Sequence, residues 1–483
     1  MRRSRLHLPL AASCIVLGAF PLRAVKADAP RAASTPLASL VMRLDASFDP
    51  LPVVAVSPRI HAFDAPDFPY IALRLEHDYT QQRVTPDRTA AAGRVTPIHT
   101  AVVEASRTVK VLVGGTLTYD SNVLRLPANV DPLTAVGVSS KSDVISTAYV
   151  GLSIDKAYAQ QRIEGEVTET AYRYANLAAL NYAAFEYRGA WHWRITPRWG
   201  GTLQAERRVA AASFADSQFS QRIQRNLRTT DNYRFSLDGA LFGGWHALFG
   251  AYQNQLKYDQ GFAPQNSSRT QGVEAGIKYE RASGSAVTVM QRSIQGEYLN
   301  RVPDAANVND NAFRQHDTEL KLDWNVSGKS VMRGRLTWID VRHANFAARD
   351  FSGLAGEWGY VWSPTGKLRV DLTAKRDIAP WWQASSSYRI DDSLSLTPTW
   401  QVGAKAAVRA RWERTQSDFR GPVVPQTDAL RRDTVQNVQL GMDWNPLRNL
   451  VLDASVQRQW RASNTAGVDF DARIAQFNAK FKF

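Results

Sequence analysis

The amino-acid sequence predicts an all-β fold: a transmembrane antiparallel β-barrel of about 18 strands, within bounds of about 16 and 20. Three observations predict it. Apolar and polar residues alternate with a period of two from about Thr108 to the end of the chain. Tight turns take turns with long polar loops, and aromatic residues gather at strand ends beside the tight turns. Successive side chains of a strand point to opposite faces, so this period builds one apolar and one polar face.

The last stretch shows the pattern most plainly. In Arg473-Ile-Ala-Gln-Phe-Asn-Ala-Lys-Phe-Lys-Phe483, the residues Ala475, Phe477, Ala479, Phe481 and Phe483 fall on one side. Gln476, Asn478, Lys480 and Lys482 fall on the other. A terminal strand of alternating aromatics that ends on Phe suits the barrel assembly machinery of Gram-negative outer membranes, with Phe477, Phe481 and Phe483 as the assembly signal.

The chain opens with Met1-Arg-Arg-Ser-Arg-Leu-His, an apolar run from Leu10 to Phe20, and small residues before Asp28. That order predicts a signal peptide over residues 1–27 and export of the remainder. Cys14 is the chain's one cysteine and lies in the apolar run, so the exported protein is expected to hold none. Residues 28–106 are rich in Pro and Ala and are read as a mostly irregular periplasmic segment, because proline breaks both helices and ladders. The barrel is assigned to residues 107–483.

Within it the alternation recurs strand after strand. Phe185, Tyr187, Gly189, Trp191 and Trp193 oppose Glu186, Arg188, His192 and Arg194. Tyr233, Phe235 and Leu237 oppose Arg234, Ser236 and Asp238; Leu368, Val370, Leu372 and Ala374 oppose Arg369, Asp371, Thr373 and Lys375. Tight turns are read at 196–198, 243–244, 282–285, 327–330, 364–367, 403–405 and 446–449. Long polar loops are read near 127–141, 211–230, 258–268, 300–312, 418–431 and 461–468. Short periplasmic turns and long outer loops are the outer-membrane arrangement. Trp193, Trp245, Trp324, Trp362 and Trp444 stand beside the tight turns, where a girdle at headgroup level would place them.

The chain holds 59 Lys plus Arg against 45 Asp plus Glu, a net charge of +14. The charges are spread singly along strands, and no nucleic-acid-binding signature accompanies them, so no nucleic acid is expected as a partner. No stretch after residue 27 approaches the roughly 18 uninterrupted apolar residues of a spanning helix. Membrane crossing therefore falls to strands.

The run Gly115-Thr-Leu-Thr-Tyr-Asp-Ser-Asn-Val-Leu-Arg-Leu-Pro127 resembles the opening barrel strand of the EpsL-type outer-membrane proteins of exopolysaccharide biosynthesis, which accompany exosortase and PEP-CTERM sorting systems. Thr229-Thr-Asp-Asn-Tyr-Arg-Phe-Ser-Leu-Asp238, Leu322-Asp-Trp-Asn-Val-Ser-Gly-Lys-Ser330, Arg349-Asp-Phe-Ser-Gly-Leu354, Arg431-Arg-Asp-Thr434 and Trp444-Asn-Pro-Leu-Arg-Asn449 follow in the same order. The resemblance spans about residues 110 to 483 and leaves out the proline-rich segment. It implies a part in assembling or exporting a surface polysaccharide, with periplasmic export components as partners.

Catalytic chemistry finds no nominee, and the chain is read as no enzyme. The barrel histidines His192, His246, His316 and His343 lack a serine two residues on, the spacing that would put both on one strand face. Gly328-Lys-Ser330 is a hairpin turn, since Asp323 stands where a phosphate loop needs its first glycine. No cofactor or metal is implied. Glu164 and Glu166 share a face and are read as wall residues.

The candidate functional feature is therefore the polar wall. Arg188, Arg194, Arg234, Lys278, Lys321, Arg369, Lys375, Arg409 and Arg411 are expected to line the lumen, opposite Glu186, Asp238, Glu274, Glu319, Asp323, Asp371 and Glu413. Such a wall can stiffen itself by pairing, a net cationic lining would also attract an acidic polymer, and both can hold at once. Tyr172 and Tyr174 are candidate stacking surfaces for sugar rings. The expected function is an outer-membrane barrel acting as a polysaccharide conduit or docking component, with outer-membrane lipid around it. A general porin-like channel, or a barrel enzyme acting on lipid or glycan, is the alternative.

Overall fold

The computed structural model describes residues 109–216, 225–259, 267–381, 386–422 and 430–483. The predicted signal peptide and proline-rich segment lie outside them. The strands are β1 (Val109–Asp120), β2 (Asp143–Tyr158), β3 (Gln161–Tyr174), β4 (Tyr182–Arg194), β5 (Trp199–Ala211) and β6 (Leu227–Ala240). Then come β7 (Trp245–Tyr258), β8 (Ser268–Glu280), β9 (Ala286–Tyr298), β10 (Ala312–Ser327), β11 (Ser330–His343) and β12 (Phe351–Trp362). The last are β13 (Leu368–Pro380), β14 (Tyr388–Gly403), β15 (Ala406–Arg420), β16 (Arg432–Leu447), β17 (Leu450–Ser463) and β18 (Phe470–Lys482).

These form one 18-stranded sheet in which each strand pairs with its neighbours in sequence. β1 pairs antiparallel with both β2 and β18, in register Val113↔Phe481 to Asp120↔Ile474 on the β18 side. The sheet is thereby closed and presents no free edge. Closure is the condition for strands to cross a bilayer, since an open edge would leave N–H and C=O groups unpaired in hydrocarbon. The fold class expected from the alternation is the observed one. Among the described residues no helix is long and apolar enough to cross a membrane.

The faces follow the period of two. Val150, Val167, Phe185, Leu203, Phe249, Ile277, Leu336, Leu354, Leu440 and Phe477 are all exposed on the outer surface. Trp245, Trp324, Trp362 and Trp444 are exposed beside the tight turns, as a headgroup girdle requires. On the inner side of the sheet, Glu274, Arg292, Glu319, Arg335, Arg411, Asn437 and Gln459 are buried.

Strands of 14 to 16 residues, such as β6, β10 and β16, exceed the roughly 9–11 that a tilted strand needs to cross a bilayer. The surplus lies at the long-loop end and carries charge on the outer face. Part of the expected loops is therefore strand: β6 begins at Leu227, β15 runs on to Arg420 and β17 to Ser463. The polar sequence there reads as loop because it lacks apolar contrast, yet a strand above the bilayer needs none. At the tight turns the ladder shifts register between Asn325 and Ser327, Gln401 and Gly403, and Trp444 and Leu447.

Two apolar clusters sit inside the barrel at the long-loop end. One gathers Val123, Leu124, Leu126, Ile145, Tyr174, Leu177, Leu180 and Tyr182, with Phe214 and Leu227 packed against it. The other gathers Tyr298, Phe313, Ile339, Val341 and Phe351, with Ile378 and Tyr388. The loops at this end fold onto the inner wall.

Candidate functional site

On the inner wall, eight of the nine candidate cations meet a carboxylate. Arg188 reaches Glu166 at 2.9 Å, Lys278 reaches Asp238 at 2.9 Å and Glu280 at 3.1 Å, and Lys321 reaches Glu319 at 3.4 Å. Arg369 pairs with Asp371 at 2.6 Å, Lys375 with Asp377 at 3.0 Å, Arg409 with Asp443 at 3.3 Å and Arg411 with Glu413 at 3.0 Å. Arg234 meets Glu274 in direct contact. Arg194, at the tight-turn end of β4, is exposed.

The partners run along the wall. Several pairs lie within one strand at positions i and i+2, which share a face: Arg369 with Asp371, Lys375 with Asp377, Arg411 with Glu413 and Arg389 with Asp391. Others join strands. Arg292 of β9 donates to Glu274 of β8 at 2.9 Å and forks onto both oxygens of Glu319 of β10 at 2.8 and 2.9 Å. Thr337 of β11 donates to the same Glu319 at 3.2 Å, and Arg335 reaches Glu357 of β12 at 3.2 Å. Two-pronged guanidinium–carboxylate contact fixes direction as well as distance, so this row behaves as a rigid girder.

The girder crosses β7 by a local device. Gly250 presents no side chain inward, and Glu274 lies over it, so Arg234 of β6 meets Glu274 of β8 across the intervening strand. Gly272 on β8 is likewise covered by the ring of Tyr252. Nearer the tight turns, Asp238 accepts from His246 at 2.6 Å and from Lys278 at 2.9 Å.

Other residues singled out from sequence find ordinary roles. His192 faces Thr202 at 3.1 Å, and Glu164 pairs with Arg162 at 2.8 Å. Tyr174 is buried in the first apolar cluster, and Tyr172 stacks on Tyr182 with ring centroids 4.2 Å apart. One face of Tyr172 and all of Tyr174 are thus taken by the protein, which removes the expected pair of sugar-stacking surfaces. Among the described residues no group of His, Cys, Asp or Glu stands where it could hold a metal.

The long-loop mouth carries residues that sequence reasoning missed. Asp310, fully buried, accepts from Asn345 N–H at 2.6 Å, Phe346 N–H at 2.9 Å and the Asn345 amide at 2.8 Å. Burial alone would raise its pKa, but these donors hold the carboxyl below the usual aspartate range. Asp143 likewise accepts hydrogen bonds from Asn176 N–H at 2.9 Å and Leu177 N–H at 2.8 Å. The loops so held share a sequence, Ala175-Asn-Leu-Ala-Ala-Leu-Asn-Tyr182 and Ala344-Asn-Phe-Ala-Ala-Arg-Asp-Phe351.

In both, the residue ending the rising strand donates its N–H to the Asn or Asp just before the next strand: Tyr174 to Asn181 and His343 to Asp350, each at 2.7 Å. Ser463 donates to Asp469 in the same way at 2.6 Å. A search for internal repeats would have found the first two.

Arg349, buried, ties three loops together, donating to the carbonyls of Trp381 at 2.9 Å, Asn307 at 3.3 Å and Val308. Arg461 reaches from β17 to the carbonyl of Ala215 beyond β5, on another part of the rim. The mouth is a set of loops clasped by buried arginines and aspartates.

The sequence model of the family described as "Putative beta-barrel porin 2" matches residues 338–483, from β11 to the end of the chain. No curated protein matches the chain in sequence. Among solved structures it is similar to OccAB3 of Acinetobacter baumannii, at 8% identity and a TM-score of 0.43, covering 78% of this chain and 99% of that one. It is also similar to OccK1 (OpdK) of Pseudomonas aeruginosa, at 11% identity and a TM-score of 0.44, covering 78% and 99%. OccK9 (OpdG) of the same organism gives 12% identity and a TM-score of 0.43, covering 78% and 98%.

Proposed function

We propose that the protein is a porin-like channel in the outer membrane of a Gram-negative bacterium, passing small hydrophilic solutes with little preference for the sign of their charge. The observation that carries this reading is the neutralised wall. Eight of nine candidate lumen cations spend their charge on a neighbouring carboxylate, so the wall has little left to hold an acidic polymer. The match of residues 338–483 to a porin family supports the same reading. Export through the signal peptide and insertion guided by Phe477, Phe481 and Phe483 belong to the proposal, and all three rings are exposed on the outer face.

The role in surface polysaccharide rests on the sequence resemblance, and the inner wall adds no support to it. Conductance in planar bilayers tests the choice, using the full chain and a form lacking residues 28–106. Discrete openings of weak selectivity are expected. A folded, heat-modifiable barrel that stays silent in both forms sinks the channel, and loss of surface polymer on deletion of the protein would return the polysaccharide role to first place.

A further inference from the structure

On the outer face, Arg458 of β17 and Arg473 of β18 stand directly opposite each other in the ladder. Like charges so placed destabilise an antiparallel pair, so the arrangement needs an anion to make sense of it. Asp471 meets part of that need, accepting from Nε of Arg458 at 3.1 Å and from Nη2 at 2.6 Å. Arg473 has no acidic partner among the described residues, and it is exposed. Arg458 remains about half exposed as well, with a side-chain accessibility of 53%.

Their height on the barrel identifies the medium they face. One step toward the tight turns, their ladder partners are Val456 and Ala475, and the next are Ala454 and Phe477. Val456 and Phe477 are 57% and 50% exposed, as lipid-facing residues are. One step toward the loops is Trp460, whose ring lies under the Arg458 guanidinium at 5.0 Å. Apolar residues below, an amphipathic ring above and two guanidiniums between them describe the headgroup level of a bilayer.

From this we infer a binding site for the phosphate of a membrane lipid headgroup, in the leaflet at the long-loop end, between Arg458 and Arg473. The free edge of Arg458 and the whole fork of Arg473 supply N–H donors to the phosphate oxygens, while the acyl chains lie along Val456, Ala475 and Phe477. The site is independent of what the lumen carries.

A second like-charged pair, Arg314 opposite Arg342, provides the contrast. It lies farther from the apolar band, beyond Trp338, and Arg342 is engaged by two carboxylates, Asp340 at 2.8 Å and Asp350 at 3.5 Å, where Arg458 meets only Asp471 among the described residues. It is not expected to take the lipid.

The test is the heat-modifiable unfolding midpoint of the full chain in digalactosyldiacylglycerol vesicles, whose headgroups hold no phosphate. The vesicles are used alone, with added lipid A, with lipid A stripped of its phosphates, and with inorganic phosphate in solution. A rise with lipid A alone is expected, and the Arg458→Gln, Arg473→Gln double variant should lose most of that rise. Arg314→Gln should keep it. Should the double variant not fold, Arg473→Gln alone should lose part of the rise and Arg473→Lys should retain more of it. An equal rise in the variants, or one produced by the stripped lipid or by free phosphate, overturns the site.

Discussion

Glu274 lies over Gly250, where an added Cβ would come within 2.5 Å of its carboxylate oxygen. This contact lets the polar girder cross β7, because Glu274 then meets Arg234 on one side and Arg292 on the other. A side chain at position 250 must therefore push Glu274 away from both arginines. Gly250→Val is expected to lower barrel stability by about 1–3 kcal/mol, as overpacking does. Urea unfolding in detergent measures it, and a variant as stable as the parent would show that the girder does not need the bare glycine.

Glu319 is the most heavily engaged carboxylate of the row, buried and bound by Arg292, Lys321 and Thr337. Glu319→Ala strands buried cations and should cost about 3–5 kcal/mol. The outer pair of Arg269 with Glu297 is exposed on both sides, and Glu297→Ala should cost about 1 kcal/mol or less. Similar losses for the two variants would show that the girder contributes no more than a surface pair.

Asp310 makes the mouth sensitive to acid. Its carboxyl is held below the ordinary aspartate value, so its stabilising effect is complete above a pH of about 3.9 and is lost as pH falls through the lowered folded value. Trypsin cleavage after Arg349 cannot report at that pH, but pepsin can. Pepsin cuts within 344–350 are expected to appear only in strong acid for the parent and at milder acidity for Asp310→Ala. Identical onset in both would remove Asp310 from the account.

From its own loop Arg349 holds three carbonyls of two other connections, Asn307 and Val308 in one and Trp381 in the other. Hydrogen bonds from a charged donor are worth about 1.5–3 kcal/mol each, so Arg349→Ala should release these loops without unfolding the wall. The expected readouts in bilayers are larger or more frequent openings, together with faster proteolysis of the mouth at neutral pH. An unchanged trace with unchanged proteolysis would leave Arg349 as a packing residue only.

Much of the wall was legible in the sequence because an i, i+2 pair on a strand is already a spatial neighbour. Arg369 with Asp371 and Arg411 with Glu413 needed only the period of two. The link from Arg409 to Asp443 joins residues 34 apart, and Arg234 to Glu274 spans 40. Such pairs depend on register, and register is set by the ladder as a whole. The clasps at the mouth were hidden for a different reason: their sequence, Ala-Asn-x-Ala-Ala, has neither strand period nor apolar contrast.

By itself the sequence determined that this is a β-barrel, which residues face lipid and which face inward, and on which strands the charges sit. The faces follow from side-chain alternation, a property of each strand taken alone, and the barrel from that alternation together with the turn lengths and the aromatics at strand ends. Only the tertiary structure decided that β1 closes on β18, that Arg409 meets Asp443 and Arg234 meets Glu274 across strands, and that Arg458 and Arg473 stand side by side in the ladder. Each of those facts depends on how strands distant in sequence are aligned, and alignment emerges only when the whole sheet closes.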